Sequence, residues 1–595
     1  MVQEQFEEVS SKSDEKLKPV AFWQLYKNPI LLRYARSRLR WSSIAAALIV
    51  TLVISAFTFA ISVNAAARIP SEEGVNSIVT QYRVAFLPLF VIQIVIMMFI
   101  GMGSIASGIT QEYDDGMVDY QRLSPMSPLS KIVGYLFGLS IREWFLFGLT
   151  AIFTGLIVIR GEIPLEVVWK VYSVFFLSII LYHLMALVVV HSMKRKRMAG
   201  KVIQLLVVVL YFIFPLLSQF GLVFFEYLTV RPILKENFLE YLPEKVGMRR
   251  LLDLDGSSSS VPFFEHTFNA WSFSILLMSS LTISFLFMLA RKWKDVTSHL
   301  MSKPFALVFF GFFMFFLIGN TLPIAKEGNM SISRSFMQMS IKTMEDNRDK
   351  HTEGSDKWNI ENEKLKKQIN KISNVNPSID AALAQAVFGL VCVIFACLVV
   401  YIVTPQKEKY LLGLRRSKNL KKKGIPIHWD ESLGLLTTCI VVLMMTAPLY
   451  IFSSTLYKAP TMPDSIRQVL PFIPVVCAYA ALVVMVFYLV YEAWENKGLF
   501  LLILFVWILP IMVATVLGVR LGNWFGTDWS SLVWVSSVSP IAAYEFGMNA
   551  KSSLPFREAF YFSFILQASI GVFAILDLIA KKLEAKKALS ENLSN

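Results

Sequence analysis

Residues 43–63 read SIAAALIVTLVISAFTFAISV, an apolar run that contains no charged side chain. A helix of about 20 such residues crosses the roughly 30 Å hydrocarbon core of a bilayer. Similar runs recur along the whole chain. They predict spans near residues 43–63, 84–106, 134–159, 168–190, 202–226, 270–290, 304–324, 381–403, 434–455, 469–491, 499–519 and 558–580. We therefore predict an all-α polytopic membrane protein with about twelve transmembrane helices in two six-helix repeats.

The composition supports this class. Of the 595 residues, 55% are hydrophobic and 17% are charged, which is more apolar than most soluble domains. Lys and Arg cluster between predicted spans, for example at Lys194–Arg197, and such clusters are typical of cytoplasmic loops. This bias predicts that both termini are cytoplasmic. It also explains the net charge of +14 through contact with anionic lipid headgroups, and no nucleic-acid-binding module is visible.

The span pattern predicts how the chain is divided. The predicted segments are a cytoplasmic tail with an interfacial elbow helix (1–42), a first six-span half (43–300) with a loop at 107–131, a second half (301–580) with an outer loop (325–380) and a basic cytoplasmic loop (404–433), and a C-terminal tail (581–595). The outer segments 228–268 and 521–557 could dip back into the bilayer as re-entrant helices.

Two prolines suggest an internal duplication. Pro215 follows an aromatic residue and an isoleucine within the fifth span, and Pro510 does so within the eleventh, almost half the chain length away. A proline kinks a helix and frees a carbonyl that a neighbouring helix must satisfy. We predict that both kinks line a central pathway. Because proline is common in membrane helices, a chance match is the alternative.

The loop after the second span is the most informative stretch. It runs from Ile109 to Ile132 as ITQEYDDGMVDYQRLSPMSPLSKI, in which an acidic turn with a glycine precedes a short amphipathic helix that ends at Ser-Pro. Such a helix, parallel to the membrane, can be pushed by a cytoplasmic partner. The candidate residues of this loop are Glu112, Gly116, Asp119, Arg122, Leu123, Ser124 and Pro125.

This loop resembles the coupling loop of the ABC type-2 permease family, which reads roughly Glu-x-x-x-Gly-Thr-x-Glu-x-x-x-x-x-Pro. Glu112, Gly116, Asp119, Leu123 and Pro125 match, whereas Met117 stands where Thr is usual. The resemblance implies the transmembrane subunit of an exporter in the plasma (bacterial inner) membrane, driven by separate cytoplasmic ABC ATPase subunits. The basic loop of the second half lacks the pattern, so a second docking contact would be degenerate or different.

The chain contains no Gly-x-x-x-x-Gly-Lys-[Ser/Thr] phosphate loop, so we expect ATP to be hydrolysed on the partner subunit. We predict no catalytic residue, cofactor or metal on this chain. The exported substrate stays open among lipids, lipid-linked glycans, peptides and hydrophobic drugs.

Several isolated polar residues within predicted spans have competing interpretations. Arg142 and Glu143 either belong to a gate or lie at the inner interface, and as neighbours on one helix they are not expected to form a pair. His183 is predicted to be a hydrogen-bonded packing residue, and Asp577 is predicted to anchor the end of its span near Lys581. The four cysteines, Cys392, Cys397, Cys439 and Cys477, lie in apolar runs and are expected to pack rather than to bind metal or form disulfides.

Three other functions remain open. A secondary transporter would need ion or proton sites at the bilayer midplane, where carboxylates are scarce. A membrane-embedded transferase or protease would need clustered acids or histidines, and only the Glu112–Asp119 group qualifies. A transport-inactive scaffold or sensor descended from a permease would tolerate the degenerate second loop.

Overall fold

In the computed structural model, the described residues are 24–67, 77–192, 200–203, 205–206, 209, 211, 217–218, 222–242, 260–295, 298–327, 358, 362–364, 366, 377–405, 410–411, 413, 415–416, 429–432, 434–460, 462, 467–515, 530–549 and 554–594. Contacts between Cα atoms divide the chain into two compact units. Unit 1 comprises residues 1–212, 228–253 and 270–300, and unit 2 comprises residues 213–227, 254–269 and 301–595.

Unit 1 is helical in its described part. Its α-helices are α1 (Pro29–Arg38), α2 (Trp41–Ala66), α3 (Ser77–Ile94), α4 (Met102–Asp114), α5 (Met117–Leu123), α6 (Pro128–Leu139), α7 (Ile141–Arg160), α8 (Leu165–Ser192), α9 (Arg231–Phe238) and α10 (Ala270–Lys294). A π-helical segment, Val95–Gly101, joins α3 to α4. It contacts α8, where the buried His183 Nε2 lies 2.9 Å from the Met97 carbonyl oxygen. This contact confirms that His183 is a hydrogen-bonded packing residue.

Unit 2 adds one small sheet to its helices. Strands β1 (Ser260–Phe263) and β2 (His266–Asn269) form an antiparallel hairpin in which Ser260 pairs with Asn269. The helices are α11 (Lys303–Glu327), α12 (Pro377–Val403), α13 (Leu435–Lys458), α14 (Ile473–Leu501), α15 (Ser530–Ser536), α16 (Pro540–Asn549) and α17 (Leu554–Ser594), with a π-helical segment at Leu502–Ile508. Among the described residues of both units, short 3-10 helices cover Leu25–Lys27, Val223–Leu228, Leu239–Tyr241, Trp429–Glu431 and Leu470–Phe472.

Ten helical runs among the described residues are long and apolar enough to cross a membrane. They are Ile44–Ala66, Ile78–Asp114, Ile141–Arg160, Leu165–Ser192, Ala270–Lys294, Lys303–Glu327, Ala381–Val403, Leu435–Lys458, Leu470–Thr515 and Phe556–Lys581. Lipid offers no hydrogen bonds to the backbone, so a helix, which satisfies its own backbone groups, is the structure that such runs adopt. The chain is an all-α polytopic membrane protein in architecture.

Several boundaries differ from the sequence-based spans. The predicted span 134–159 is two helices, because the backbone at Ser140 (φ −102°, ψ 13°) leaves the helical conformation between α6 and α7. The predicted spans 469–491 and 499–519 belong to one 46-residue run, which is interrupted at Glu495 (φ 55°, ψ −149°). The segment 228–268 is not one re-entrant helix, since it holds α9 and most of the hairpin.

Pro510 follows the π-helical segment Leu502–Ile508, whose wider turn accommodates a residue that lacks an N–H. Ser539 Oγ donates to the nearby Trp507 carbonyl oxygen at 2.6 Å, so a side chain from the segment before α16 satisfies a backbone acceptor of the distorted turn. A pathway role for Pro510 stays a prediction. Pro215, the N-terminal tail to residue 23 and most of the loops 325–380 and 404–433 lie outside the described residues.

The isolated polar residues show one error in the sequence-based expectations. Arg142 and Glu143 do form an ion pair, with Nη2 2.9 Å from Oε1, because the long arginine side chain folds back over its neighbour. Glu143 is fully buried, and Ser104 Oγ donates to the same carboxylate oxygen at 2.6 Å. Asp577 pairs with Lys581 at 2.6 Å, as predicted. All four cysteines are free thiols; Cys392, Cys397 and Cys477 are buried, whereas Cys439 is exposed.

Candidate functional site

The loop 107–131 forms a helix–turn–helix within unit 1. α4 ends at Asp114, and Gly116 adopts a left-handed conformation (φ 70°, ψ 4°) that glycine tolerates best. This turn lets the short helix α5 start in a new direction. α5 ends at the Ser124–Pro125 pair because the residue before a proline disfavours the helical conformation. Ser127 Oγ then accepts from Ser130 N at 3.1 Å and caps α6.

α5 presents one exposed face. The exposed fraction is 85% for Leu123, 71% for Tyr120 and 75% for the Asp119 side chain. Val118 and Gln121 occupy the opposite face and are buried. α5 therefore exposes an aromatic, an aliphatic and an acidic side chain on one face. We call Asp119, Tyr120 and Leu123 the α5 face.

Two basic side chains, Lys131 and Arg122, fix the C-terminal end of α5 to the rest of unit 1. Lys131 Nζ donates to the carbonyl oxygens of Arg122 (3.1 Å) and Ser124 (3.2 Å), which satisfies acceptors that a helix end leaves open. Burial, and then the nearby Arg122 charge, lower the pKa of Lys131 below its usual value. Arg122 pairs with Asp119, and its guanidinium lies 5.8 Å from the centre of the Trp293 ring at the end of α10. α5 is therefore fixed to its own unit.

Glu112 lies inside the unit. Its exposed fraction is 7%, and its carboxylate accepts hydrogen bonds from the hydroxyls of Tyr34 on α1 and Tyr135 on α6. Arg33 on α1 forms an ion pair with the same carboxylate. A buried carboxylate requires such partners, because an unpaired charge away from water is strongly unfavourable. Glu112 thus connects its own helix, α4, to α1 and α6. Because it is buried, Glu112 is not part of the exposed α5 face.

The same network reaches α5. The Tyr135 hydroxyl lies between the Glu112 carboxylate and the Gln121 side-chain amide. The Tyr135 hydroxyl has one proton, which it donates to the Glu112 carboxylate. The Gln121 amide is therefore oriented with its NH2 group donating to the hydroxyl oxygen. The Tyr135 ring also stacks on Trp293, with centroids 5.4 Å apart. We call Arg33, Tyr34, Glu112, Gln121 and Tyr135 the Glu112 network.

α1 and α6 pack closely beside this network. Asn28 caps α1 by accepting from Ile30 N (3.1 Å), and its amide donates to the Ser130 carbonyl oxygen of α6 (2.7 Å). Gly134 and Gly138 face α1, where a Cβ atom would lie 2.7 Å from Asn28 Oδ1 and 2.9 Å from the Tyr34 ring, respectively. Two small residues four positions apart permit this close approach of helices.

The predicted site residues therefore separate into exposed, buried and supporting groups. The structure exposes Asp119 and Leu123, together with Pro125, and buries Glu112, while Arg122 and Ser124 support the helix end. The sequence analysis missed Tyr34, Gln121, Lys131, Tyr135 and Trp293. The Asn28–Pro29 helix start and the Gly134–Gly138 spacing are signals that could have indicated the contact between α1 and α6.

The ionisation of Tyr34 makes the free energy of unfolding depend on pH in the alkaline range. Burial raises the pKa of Tyr34 to about 12, although Arg33 and Arg38 act in the opposite direction. The folded chain keeps this proton above pH 10, where the unfolded chain releases it. The Tyr34 contribution is therefore complete below the ordinary pKa of 10.0 and is lost as the pH rises towards about 12.

We expect the unfolding free energy to fall from about pH 10 upward, with Tyr34 contributing a slope of up to about 1.4 kcal/mol per pH unit. Thermal unfolding of the detergent-solubilised protein at a series of alkaline pH values measures this slope. The Tyr34→Phe variant should show a shallower decline than wild type, and an equally steep decline in both proteins would contradict the assignment.

Among the described residues, no group of three or more His, Cys, Asp or Glu side chains is arranged to hold a metal ion. What the site offers is an exposed face with an acidic, an aromatic and an aliphatic side chain, anchored on a buried polar network. No family model, no curated protein and no solved structure matches this chain.

Proposed function

We propose that the chain is the transmembrane permease subunit of an ATP-binding-cassette exporter, energised by a separate cytoplasmic ATPase. The observation that carries the proposal is the α5 face, a projecting acid, aromatic and aliphatic surface on a helix that directly follows a span. Its fit with the ABC type-2 loop pattern at Gly116, Asp119, Leu123 and Pro125 supports the same function. The exported substrate is not assigned.

The proposed topology has twelve spans in two halves, with both termini in the cytoplasm of a plasma (bacterial inner) membrane. One observation and one sequence-based prediction support twelve spans rather than ten. The run Leu470–Thr515 is 46 residues long, more than twice the length that a span requires, and its backbone breaks at Glu495. The predicted span 202–226, most of whose residues before Leu222 lie outside the described part, would be the twelfth.

The Glu112 network suggests how the docked ATPase acts. Closure of the ATPase on nucleotide would displace the α5 face, and Gln121 and Tyr135 would pass the displacement to Glu112. Arg33 and Tyr34 connect Glu112 to α1, the proposed interfacial elbow helix, while Tyr135 belongs to α6. Coupling requires that nucleotide favour one of two arrangements of this bundle over the other.

Co-purification tests the proposal. We expect an ABC ATPase to accompany the tagged chain in mild detergent and an Asp119→Lys, Leu123→Arg double variant to retain at least about tenfold less of it, because central contact residues each contribute about 2 kcal/mol or more. Both side chains are exposed, but Asp119 also pairs with Arg122, so the helical circular dichroism of the variant must match that of wild type. Quantitative mass spectrometry of the eluate measures the retained ATPase.

Leu165→Arg is the matched control, since Leu165 is equally exposed but begins α8, at the far end of α7 from the loop. It should retain the ATPase at the wild-type level. Equal retention by the double variant would refute docking at the α5 face. Absence of any ATPase from the wild-type eluate would instead favour a secondary transporter or a transport-inactive scaffold.

A further inference from the structure

Unit 2 contains a cavity of about 1130 Å³ beside the break in α14. Its wall comes from both sides of the break and from α17, and includes Ala493, Trp494, Leu501, Phe505, Ser569 and Phe573. Leu501, Phe505 and Phe573 are themselves exposed on the surface of helices that are long and apolar enough to span a bilayer. The cavity therefore opens sideways, towards the acyl chains of a membrane.

Charged residues gather at the break. Glu495 has a backbone conformation (φ 55°, ψ −149°) that residues other than glycine rarely adopt, and such outliers concentrate at functional sites. Lys581 Nζ donates to the Ala493 carbonyl oxygen at 2.8 Å and pairs with Asp577. Glu495, Lys497 and Lys581 all line the cavity. Among the described residues, no carboxylate pairs with Lys497.

We propose that this cavity binds one zwitterionic phospholipid, with an acyl chain along the apolar wall and the phosphate at Lys497. A water-soluble ligand would not reach a cavity that opens into hydrocarbon, whereas a lipid enters it laterally. Three charged side chains line the cavity, and one of them, Lys581, is neutralised by its pair with Asp577, so Lys497 and Glu495 contribute one charge of each sign. This balance suits a head group that carries both signs and disfavours a net anionic one. The proposal is independent of the ATPase.

Native mass spectrometry of the delipidated full chain tests the site. The probes are phosphatidylethanolamine and phosphatidylglycerol with identical acyl chains, added singly and as an equal mixture. We expect one tightly retained phosphatidylethanolamine per chain. Lys497→Gln should weaken its retention about tenfold, because it removes one charge-assisted hydrogen bond. Ser569→Trp should abolish retention by filling the cavity.

Each variant has a control. Val572→Trp places the same side chain on α17 at an exposed position that does not line the cavity, and Lys458→Gln removes an exposed lysine at the end of α13. Both should retain the lipid like wild type. Lys497 is exposed, so its replacement reports on the site even if Ser569→Trp folds poorly. Equal retention by Lys497→Gln and Lys458→Gln, or a preference for phosphatidylglycerol, would overturn the proposal.

Discussion

Replacing Glu112 with leucine is expected to lower the free energy of unfolding by about 2–5 kcal/mol, because two buried tyrosine hydroxyls lose a charged acceptor at roughly 1–3 kcal/mol each. The hydroxyls of Tyr34 and Tyr135 would lose their acceptor, and Arg33 would lose its counter-charge. Glu112→Gln should cost less, since its amide oxygen still accepts one of these hydrogen bonds. Denaturant titration of the detergent-solubilised protein, followed by helical circular dichroism, measures the change.

Glu166→Leu is the matched control for this prediction. Glu166 also pairs with a basic residue, Lys170 at 2.7 Å, but its carboxylate is exposed on the first turn of α8. Exposed pairs are screened by water and contribute little, so this variant should unfold close to wild type. If Glu112→Leu is no less stable than Glu166→Leu, the Glu112 network does not hold the three helices together.

Replacing Gly134 with leucine is expected to destabilise the protein by about 2–5 kcal/mol, through overpacking against α1 and disturbance of its N-terminal cap. Its Cβ atom would lie 2.7 Å from Asn28 Oδ1 and 2.9 Å from Ile30 Cβ. Both atoms belong to the start of α1, so α1 must separate from α6. Once α1 has separated from α6, the α1 segment should also become more accessible to protease.

Gly148→Ala is the control for the glycine prediction. Gly148 lies within α7, and apart from the nearby backbone of α7 itself a Cβ atom there would meet nothing within 4 Å. Alanine is the better helix former, so this variant should be as stable as wild type or slightly more stable. If the Gly134→Leu and Gly148→Ala variants have the same free energy of unfolding, α1 and α6 are not in close contact.

The helical class was predictable because its cause is local. Runs such as 43–63 are too apolar for water and long enough for a bilayer, and the helix satisfies its own backbone there. Helix breaks were less predictable. Ser140 interrupts a continuous apolar pattern with no proline or glycine at the break itself. The break at Glu495, in contrast, lies in the polar stretch 492–498 between two predicted spans. Hydropathy measures composition along a window and does not register a single backbone angle.

Part of the candidate site could be predicted from the sequence. Gly116 and Pro125 bound the short helix by local backbone preferences, so the turn and its end could be read directly. The placement of Glu112 could not, because Tyr34 and Tyr135 are distant in sequence and meet it only after α1, α4 and α6 have packed. An acidic residue in a loop is usually solvated, and the sequence analysis therefore grouped Glu112 with the exposed Asp119.

By itself, the sequence determined that this is a multi-pass helical membrane protein and where its most distinctive loop lies. Both depend on properties of about twenty consecutive residues or fewer: hydrophobic length and turn preference. Only the tertiary structure decided which loop residues face outward, which are held inside, and that a broken helix encloses a cavity beside Lys497. These features depend on contacts between helices distant along the chain, and no local pattern specifies those contacts.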